Sequence, residues 1–566
     1  MKKTVLLLIT IALLLWSCGS ETSVPADGYD LVILNGRVMD PETNFDAIRN
    51  VGIKNGIIAA ITEKEISGEE TIEAEGHVVS PGFIDTQTHS HGSFWGVKVS
   101  LRDGVTTPMD FEIGVINVDK WYAEREGKWP VNFGTVAAHE YYRMRVLDNM
   151  PLTDPLDVWR LGEMRGVSYD ENGIPDWADT QADLEQLNAI CAGLDEELKV
   201  GALGIGSTMG YMQNGVTTFE LYQVQKVAAN YGRVFASHVR FLGNTKPPNE
   251  GTLGALEQLA NGIALNQPLL LSHNNNFGWW EVEERLSALR EMGYNVWSEY
   301  YPYTAGSTTI GSEMLKPGNI QVIGSDYEYM LNPSTGEFMN QEEYERIKAE
   351  DPGFMIVLFL PAREDWLKMW LEVPHMTVAS DAMPPVDAEG NYLKGDDPYE
   401  KFSGHPRTVA THARVLRLSR ENNVSLMHTL SQLTYWSAKH VGDAGVESMK
   451  VRGRMQEGMV ADITIFDPET VTDNADFANG KNGLPSTGIP FVLVNGQIVV
   501  KDSKFQEGVY PGIPIRYPRE ETGRFVKLEK ESYLDRILGK DVVDLPDETL
   551  DCCFGSAENR HHKHVQ

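Results

Sequence analysis

Cysteine is scarce, with four residues in a chain of 566, and two of them, Cys552 and Cys553, are adjacent. No CxxC spacing occurs, so a disulfide framework is excluded and cysteine chemistry carries no function here. Cys191 keeps helical spacing with Leu187, Ile190 and Leu194 and reads as core. Basic residues are also in deficit: 49 Lys and Arg stand against 81 Asp and Glu, a formal net charge of -32. A body of this sign repels phosphate backbones, which excludes nucleic acid as a partner and leaves solubility as the role of the charge. A complete phosphate loop is missing too. The glycine-rich run GALGIGSTMGY (residues 201–211) has no Lys-Ser or Lys-Thr behind it. It reads either as a strand and tight turn lining a site or as glycine kept for close packing.

One apolar run stands at the N-terminus. Lys2 and Lys3 precede a mostly apolar stretch, residues 5–16, that closes in Leu15-Trp16-Ser17-Cys18. It is too short to span a bilayer comfortably and reads as an address rather than as fold. The tetrapeptide resembles a bacterial lipobox, in which cleavage leaves a cysteine that becomes lipidated. That resemblance implies a signal peptide over residues 1–17, a membrane tether through lipidated Cys18 and a linker over 18–27. The protein is then expected to be exported and lipid-anchored in the bacterial envelope, periplasmic or at the surface. Plain secretion, with Cys18 lost, is the alternative.

What is abundant is material for a core. Hydrophobic residues make up 42% and aromatics 9%, which excludes wholesale disorder. From residue 29 to 79 the pattern alternates and is punctuated by Asn35-Gly36 and Asn55-Gly56, both hairpin signals. Far downstream, FVLVNGQIVV (491–500) echoes LVILNGRVM (31–39). The echo predicts one small β domain built from both ends, residues 28–80 and 454–515, or else two unrelated hairpins. Between them, short apolar runs alternate with helical patterns, the sign of βαβ units. Eight strands are predicted at 82–85, 106–112, 131–138, 202–207, 234–238, 269–273, 295–300 and 376–380. The fold class is therefore α/β: a (β/α)8 TIM-like barrel over 81–453 with a small β-sandwich domain built from both chain ends. Two stretches, 139–185 and acidic 326–351, read as insertions after strands, the second carrying a helix. Residues 516–566 read as a charged helix and a solvated polar tail with His561-His562.

The chain is organised around residues 80–92, SPGFIDTQTHSHG. Asp85, Gln87, His89 and His91 are spaced two apart at a strand end, which points polar groups to one face, and barrel enzymes keep their chemistry there. Other strands end similarly: in Asp110 and Glu112, in Ser237-His238, in Ser272-His273-Asn274 and in Ser380-Asp381. His238 and His273 are one strand–helix–strand unit apart, so they sit at one height on neighbouring strands. Two imidazoles and a carboxylate with an open side form a catalytic zinc set, although any one histidine alone reads as a satisfied core residue.

These pieces carry a specific resemblance. LVILNGRVMDP, SPGFIDTQTH, DGVTT, GALGIGSTMGY, FASHVR, LLSHN, YPYTAGSTT, VASDA, SGHPRT and GRMQEGMVADITIFDPETV follow one another in order. The chain resembles the amidohydrolase superfamily and, within it, the N-acyl-D-amino-acid deacylase (D-aminoacylase) branch. The resemblance implies hydrolysis of the amide bond of a small-molecule N-acyl amino acid, of D configuration, by metal-activated water. It implies His238 and His273 as zinc ligands on strands five and six, and Asp381 as the general base and acid. It also implies carboxylate recognition near strand seven, which makes Tyr303 and Ser307 candidates. Arg240 and Arg407 are further substrate-binding candidates because guanidinium suits a carboxylate, each with an intramolecular ion pair as its alternative use.

Two departures from the family pattern matter. The family's His-x-His is here Gln87-x-His89, with His91 as an extra histidine near by. The family's cysteine after strand two is replaced by Ile113, with Glu112 beside it. Glu112 therefore takes the thiolate's place, and one zinc is expected, bound by Glu112, His238 and His273 with His89 close; a second, weaker position survives in part. The alternatives are a cyclic-amide hydrolase similar to dihydroorotases and hydantoinases, and a catalytically silent ligand-binding lipoprotein. The oligomeric state is not readable from the sequence.

Overall fold

Eight short apolar runs lie side by side in chain order as one parallel sheet: Phe83–Asp85, Val105–Val115, Gly134–Ala138, Gly204–Ser207, Val234–Ser237, Leu269–Leu271, Val296–Tyr300 and Met376–Val378. The computed structural model describes residues 28–152, 164–165, 175–246, 249–315 and 318–538. The strands match the expected spans to within a few residues. They are legible because a barrel strand is buried on both faces and reads as an unbroken apolar run. The first and eighth strands meet beyond their ends, where Thr88 bridges Ala382 in parallel. There the His89 N–H donates to Ala382 O and the Asp381 N–H donates to Gln87 O, both at 2.8 Å. Asp85 ties the same seam, its Oδ1 accepting the N–H groups of Gln87 and Ser380 at 3.1 Å. Closure of the sheet is what brings residue 89 to residue 381.

Helices follow the strands and cover the sheet. Leu184–Lys199 begins at a capping box, in which Asp183 and Gln186 satisfy each other's backbone N–H groups. Ser93 caps Phe94–Arg102 by accepting the Gly96 N–H. Inside, Ile84, Phe111, Val136, Leu203, Leu270 and Trp297 form a fully buried cluster. Each contributes about 1.5–3 kcal/mol by burial.

Both chain ends build one nine-stranded mixed sheet. Tyr29–Asp40 pairs antiparallel with Phe45–Lys54 and parallel with Val78–Pro81. The C-terminal strand Ile463–Phe466 joins Val78–Pro81 on one side and Phe491–Val494 on the other. Asn55-Gly56 and Asn495-Gly496 are tight hairpin turns with positive φ at every residue. The two tips touch: a Cβ on Gly56 would lie 2.7 Å from Asn495 O, and one on Gly496 would lie 2.6 Å from Gly56 Cα. Asn35-Gly36 is not a hairpin. It is a bulge within Tyr29–Asp40, where the register slips between Ile33 and Gly36, and Asn35 takes φ 59°. The same dipeptide serves either purpose, and the partner strand decides which.

The acidic insertion is larger than its sequence suggested. Ala305–Thr309, Met330–Asn332, Glu337–Phe338 and Met355–Phe359 make a four-stranded sheet. With helix Gln341–Glu350 it encloses its own core, including Ile310, Met330, Tyr344 and Ile356. The earlier insertion opens with helix His139–Leu147. The expected signal peptide with Cys18, the cysteines at 552 and 553, and the His561-His562 tail lie outside the described residues, whose last helix is Lys530–Leu538. Among the described residues no helix is long and apolar enough to cross a membrane.

Candidate metal centre and active-site cavity

The second barrel strand runs past the rim and turns on Asp110, whose Oδ1 accepts the N–H groups of Glu112 at 2.9 Å and Ile113 at 3.0 Å. That turn aims the Glu112 carboxylate at strands five and six. His273 Nε2 stands 3.0 Å from Glu112 Oε2, and His238 Nδ1 stands 3.5 Å from Oε1. The two rings are edge to face with centroids 4.7 Å apart. Burial works against charge on Glu112, but His273 and His238 outweigh it and hold the carboxyl well below its usual range. The glycine-rich run resolves here as a strand and turn lining the site, with its glycines forced by close approach. A Cβ on Gly206 would lie 2.4 Å from Glu112 O, and one on Gly210 would lie 2.3 Å from His238 Cδ2.

His89 and Asp381 complete the rim. His89 Nε2 meets Asp381 Oδ1 at 3.1 Å, and its Nδ1 meets Asp110 Oδ2 at 3.1 Å. Burial alone would depress this imidazole, but the Asp110 and Asp381 carboxylates prevail and push it up to about 10. Asp381 Oδ2 also pairs with Arg407 Nη1 at 2.9 Å. His273 (φ 31°) and Asp381 (φ 48°) both adopt left-handed backbone, a strain of about 1–3 kcal/mol each that ordinary turns avoid.

Two donor groups result, Glu112–His238–His273 and His89–Glu112–Asp381, each buried, with ligand atoms within 4.8 Å of one another. Glu112 belongs to both. Gln87, at the position of the family's first histidine, donates its side-chain amide to Glu112 Oε2. The first group fits a divalent cation by the chemistry of its donors: two imidazoles and a carboxylate converge out of water, with His238 Nδ1 and His273 Nε2 facing the Glu112 oxygens. His91 is not part of the centre. The chain leaves the strand after Asp85, so alternation lapses, and His91 turns its Nδ1 to Thr88 O at 2.7 Å and its ring toward Trp121.

A cavity opens over the centre. Leu242, Met314, Ile323, Leu358 and Leu360 form its apolar side, mostly from the insertion, while Arg407, Ser307, Tyr211, Tyr301 and Arg363 supply polar groups. Of the expected substrate residues, Arg407 and Ser307 are there. Arg240 and Tyr303 are corrections. Arg240 turns outward to Glu257 at 2.9 Å and to Gln213 O, so its alternative use as an ion pair is the one realised. Tyr303 lies behind the wall, packed on His405 and Phe477 beneath Arg414. Tyr303 is a candidate by the family resemblance and Arg240 by the chemistry of guanidinium, but each follows a strand end in a loop whose direction neither of these governs. The expected residues that do converge are Glu112, His238, His273, His89, Asp381, Ser307 and Arg407. Tyr301 and Arg363 line the cavity without having been singled out in the sequence. Gln87 stands where the resemblance has a histidine ligand, and nothing in the local pattern around Arg363 marks it.

No family model matches the chain. Curated relatives cover most of it. A D-aminoacylase of Alcaligenes xylosoxydans xylosoxydans is 26% identical over 504 residues, 84% of this chain and 96% of the relative. An N-acyl-D-glutamate deacylase of the same organism is 25% identical over 500 residues, 82% of this chain and 93% of the relative. Among solved structures, N-acyl-D-glutamate deacylase of Bordetella bronchiseptica, complexed with zinc and a phosphonate mimic of the tetrahedral intermediate, matches with a TM-score of 0.66. It is 22% identical and the match covers 87% of this chain and 100% of that one. A D-hydantoinase matches with a TM-score of 0.54 at 18% identity, over 87% of this chain and 100% of the other. Over most of its length the chain is thus similar in sequence to D-aminoacylases and related deacylases, and it shares the fold of the solved D-aminoacylase and hydantoinase structures.

Proposed function

We propose that the protein removes the acyl group from N-acyl amino acids of D configuration, using one zinc held by Glu112, His238 and His273. The observation that carries this reading is the meeting of that donor set with His89 and Asp381 at the mouth of the barrel. The substrate class comes from the names of the relatives that span the chain.

Bound at these three residues, zinc supplies polarisation of a carbonyl and a water acidic enough to react near neutrality. The protein's own groups do the rest. Asp381 faces the cavity between His89 and Arg407. Its Oδ1 takes the proton of the attacking water and returns it to the leaving nitrogen. Arg407 holds the Asp381 carboxylate in place through Oδ2, and His89 fixes the other oxygen. The apolar wall of the insertion excludes bulk water, which strengthens each of these interactions. We also propose, from the sequence alone, that lipidated Cys18 tethers the enzyme to the envelope. Replacing Cys18 by serine and following incorporation of labelled fatty acid tests that tether, and label retained in the variant would refute it.

Amine release from paired N-acetyl-D- and N-acetyl-L-amino acids, with metal measured on the same sample, tests the activity. Turnover of D substrates with about one zinc per chain is expected. Turnover confined to L substrates or to cyclic amides would overturn the assignment.

A further inference from the structure

The helix that carries Arg407 is broken near its start. Arg407–Glu421 runs as one helix from end to end, but Ala410 has φ -145° and ψ 26°, outside the helical region. Asp103 sits at the break, where it accepts the His412 N–H at 2.7 Å and the Ala413 N–H at 3.1 Å. A side chain inserted into the backbone ladder is an ordinary cause of such a kink. The part beyond the break is therefore anchored on its own. The turn before it, residues 407–409, carries two contacts to the loop after strand eight. Arg407 reaches Asp381 at 2.9 Å, and Thr408 Oγ1 accepts the Met383 N–H at 3.1 Å. Cut off from the body of its helix, this turn needs another support.

That support is His405, which is fully buried. Its Nδ1 accepts the Arg407 N–H at 3.0 Å, and its Nε2 donates to Ala305 O at 3.0 Å. A carbonyl can only accept and an amide N–H can only donate, so the two bonds fix the neutral imidazole with its proton on Nε2. Burial, reinforced by the neighbouring Arg407 guanidinium, holds the ring well below its ordinary range, and no second proton competes for Nδ1. Tyr303 and Phe477 close on the ring, with centroids 5.0 and 5.1 Å away. Ala305 opens the insertion strand Ala305–Thr309, whose Ser307 and Thr308 line the cavity. One imidazole thus joins the wall that the insertion lays over the cavity to the turn that carries Arg407.

We propose that His405 is a positioning residue for proton transfer: through Nδ1 it holds Arg407 against Asp381, and through Nε2 it holds the insertion wall in register with that pair. The proposal rests on the deacylase reading above and adds to it a residue that lines neither the cavity nor the metal centre. The two nitrogens divide the work. Nδ1 acts on the chemical step, because Arg407 and the Asp381 carboxylate follow the turn. Nε2 acts on binding, because Ser307 and Thr308 follow the strand.

The two bonds can be removed one at a time. Asparagine places Oδ1 where histidine has Nδ1, and glutamine places its amide nitrogen where histidine has Nε2. Kinetics are measured on the N-acetyl-D-amino acid that the zinc-loaded full chain turns over best. His405→Gln should lower kcat about tenfold to a hundredfold, the effect of displacing a reacting group by about 1 Å, with KM within about threefold. His405→Asn should keep kcat within about threefold and raise KM about threefold to tenfold, the range of one neutral hydrogen bond. Zinc content should match the parent in both, and loss of zinc in either would make the role structural and overturn the proposal. Equal losses of kcat in the two variants would do the same, as would full kcat in His405→Gln. If only the asparagine variant folds, kcat retained there upholds the proposal and kcat lost there overturns it. If the parent protein hydrolyses no N-acyl amino acid, the deacylase reading fails separately, and amide hydrogen exchange read by mass spectrometry decides the positioning. His405→Gln should then speed exchange at Met383, whose N–H depends on Thr408, and leave Ala305–Thr309 protected. Unchanged exchange at Met383 overturns the proposal.

Discussion

Gln87 donates its side-chain amide to Glu112 Oε2, the same oxygen that faces His273 Nε2 at 3.0 Å. An amide carrying an N–H donor thus stands where the family pattern has an imidazole, and it favours the ionised carboxylate without offering nitrogen to a metal. Gln87→His is expected to complete the His89–Glu112–Asp381 group as a second site. Metal content after dialysis should rise from about one to about two per chain, consistent with the added nitrogen ligand. Unchanged stoichiometry would show that the second group does not hold a metal even with that ligand.

Asp381→Asn removes the proton carrier but keeps a group of the same shape beside His89 and Arg407. Turnover should fall about a hundredfold or more while zinc stays bound, since proton transfer is worth about that much. Loss of zinc in the variant would instead make Asp381 a ligand of the tight site.

Asp110 touches no substrate, yet it supports both halves of the centre, holding His89 by Oδ2 and the Glu112 turn by Oδ1. Asp110→Asn weakens that support and should lower zinc affinity about tenfold to a hundredfold, as loss of a supporting partner does. Competition with a coloured chelator reads the affinity, and circular dichroism checks that the fold survives.

The junction of the two chain ends makes a prediction about stability alone. Gly56 has φ 75° and no room for a Cβ beside Asn495 O. Gly56→Ala should cost about 1–3 kcal/mol in urea unfolding, from left-handed strain and the clash together. Gly76→Ala, also at positive φ but with nothing within 4 Å of its Cβ, should cost less, and equal losses would mean that the contact of the tips contributes nothing.

Asp473 supplies the pH dependence. Burial opposes its charge, but Arg417 at 2.5 Å and Arg414 at 2.9 Å outweigh it and lower its pKa. A carboxyl whose folded pKa lies below its unfolded one stabilises fully above the ordinary aspartate range, and that contribution fades as pH falls through the folded value. The melting temperature of Asp473→Asn should be lower than that of the parent at neutral pH, and the gap should close on acidification. A gap that does not depend on pH would assign the loss to packing.

The eight barrel strands could be read from the chain because each is a short run buried on both faces, and burial leaves its mark locally. The polar residues that end those strands were visible for the same reason, since a change from apolar to ligand-type residues is itself a local signal. What no local pattern contained was direction beyond a strand end. Asn35-Gly36 became a bulge because a partner strand fell opposite it, whereas the matching pair at Asn495-Gly496 became a turn. Arg240 and Arg363 are both arginines in loops near the mouth, yet one found Glu257 and faces away, and the other found only neutral acceptors and faces in. Gln87 lacks the ring nitrogen of a histidine, and its use lies in Glu112, 25 residues later, which accepts its amide. The sequence by itself determined the strand pattern, the acidic surface and the kinds of donor available. Only the tertiary structure decided which donors share a cavity, because closing the barrel and laying the insertion over it join residues whose separation along the chain leaves no periodic trace.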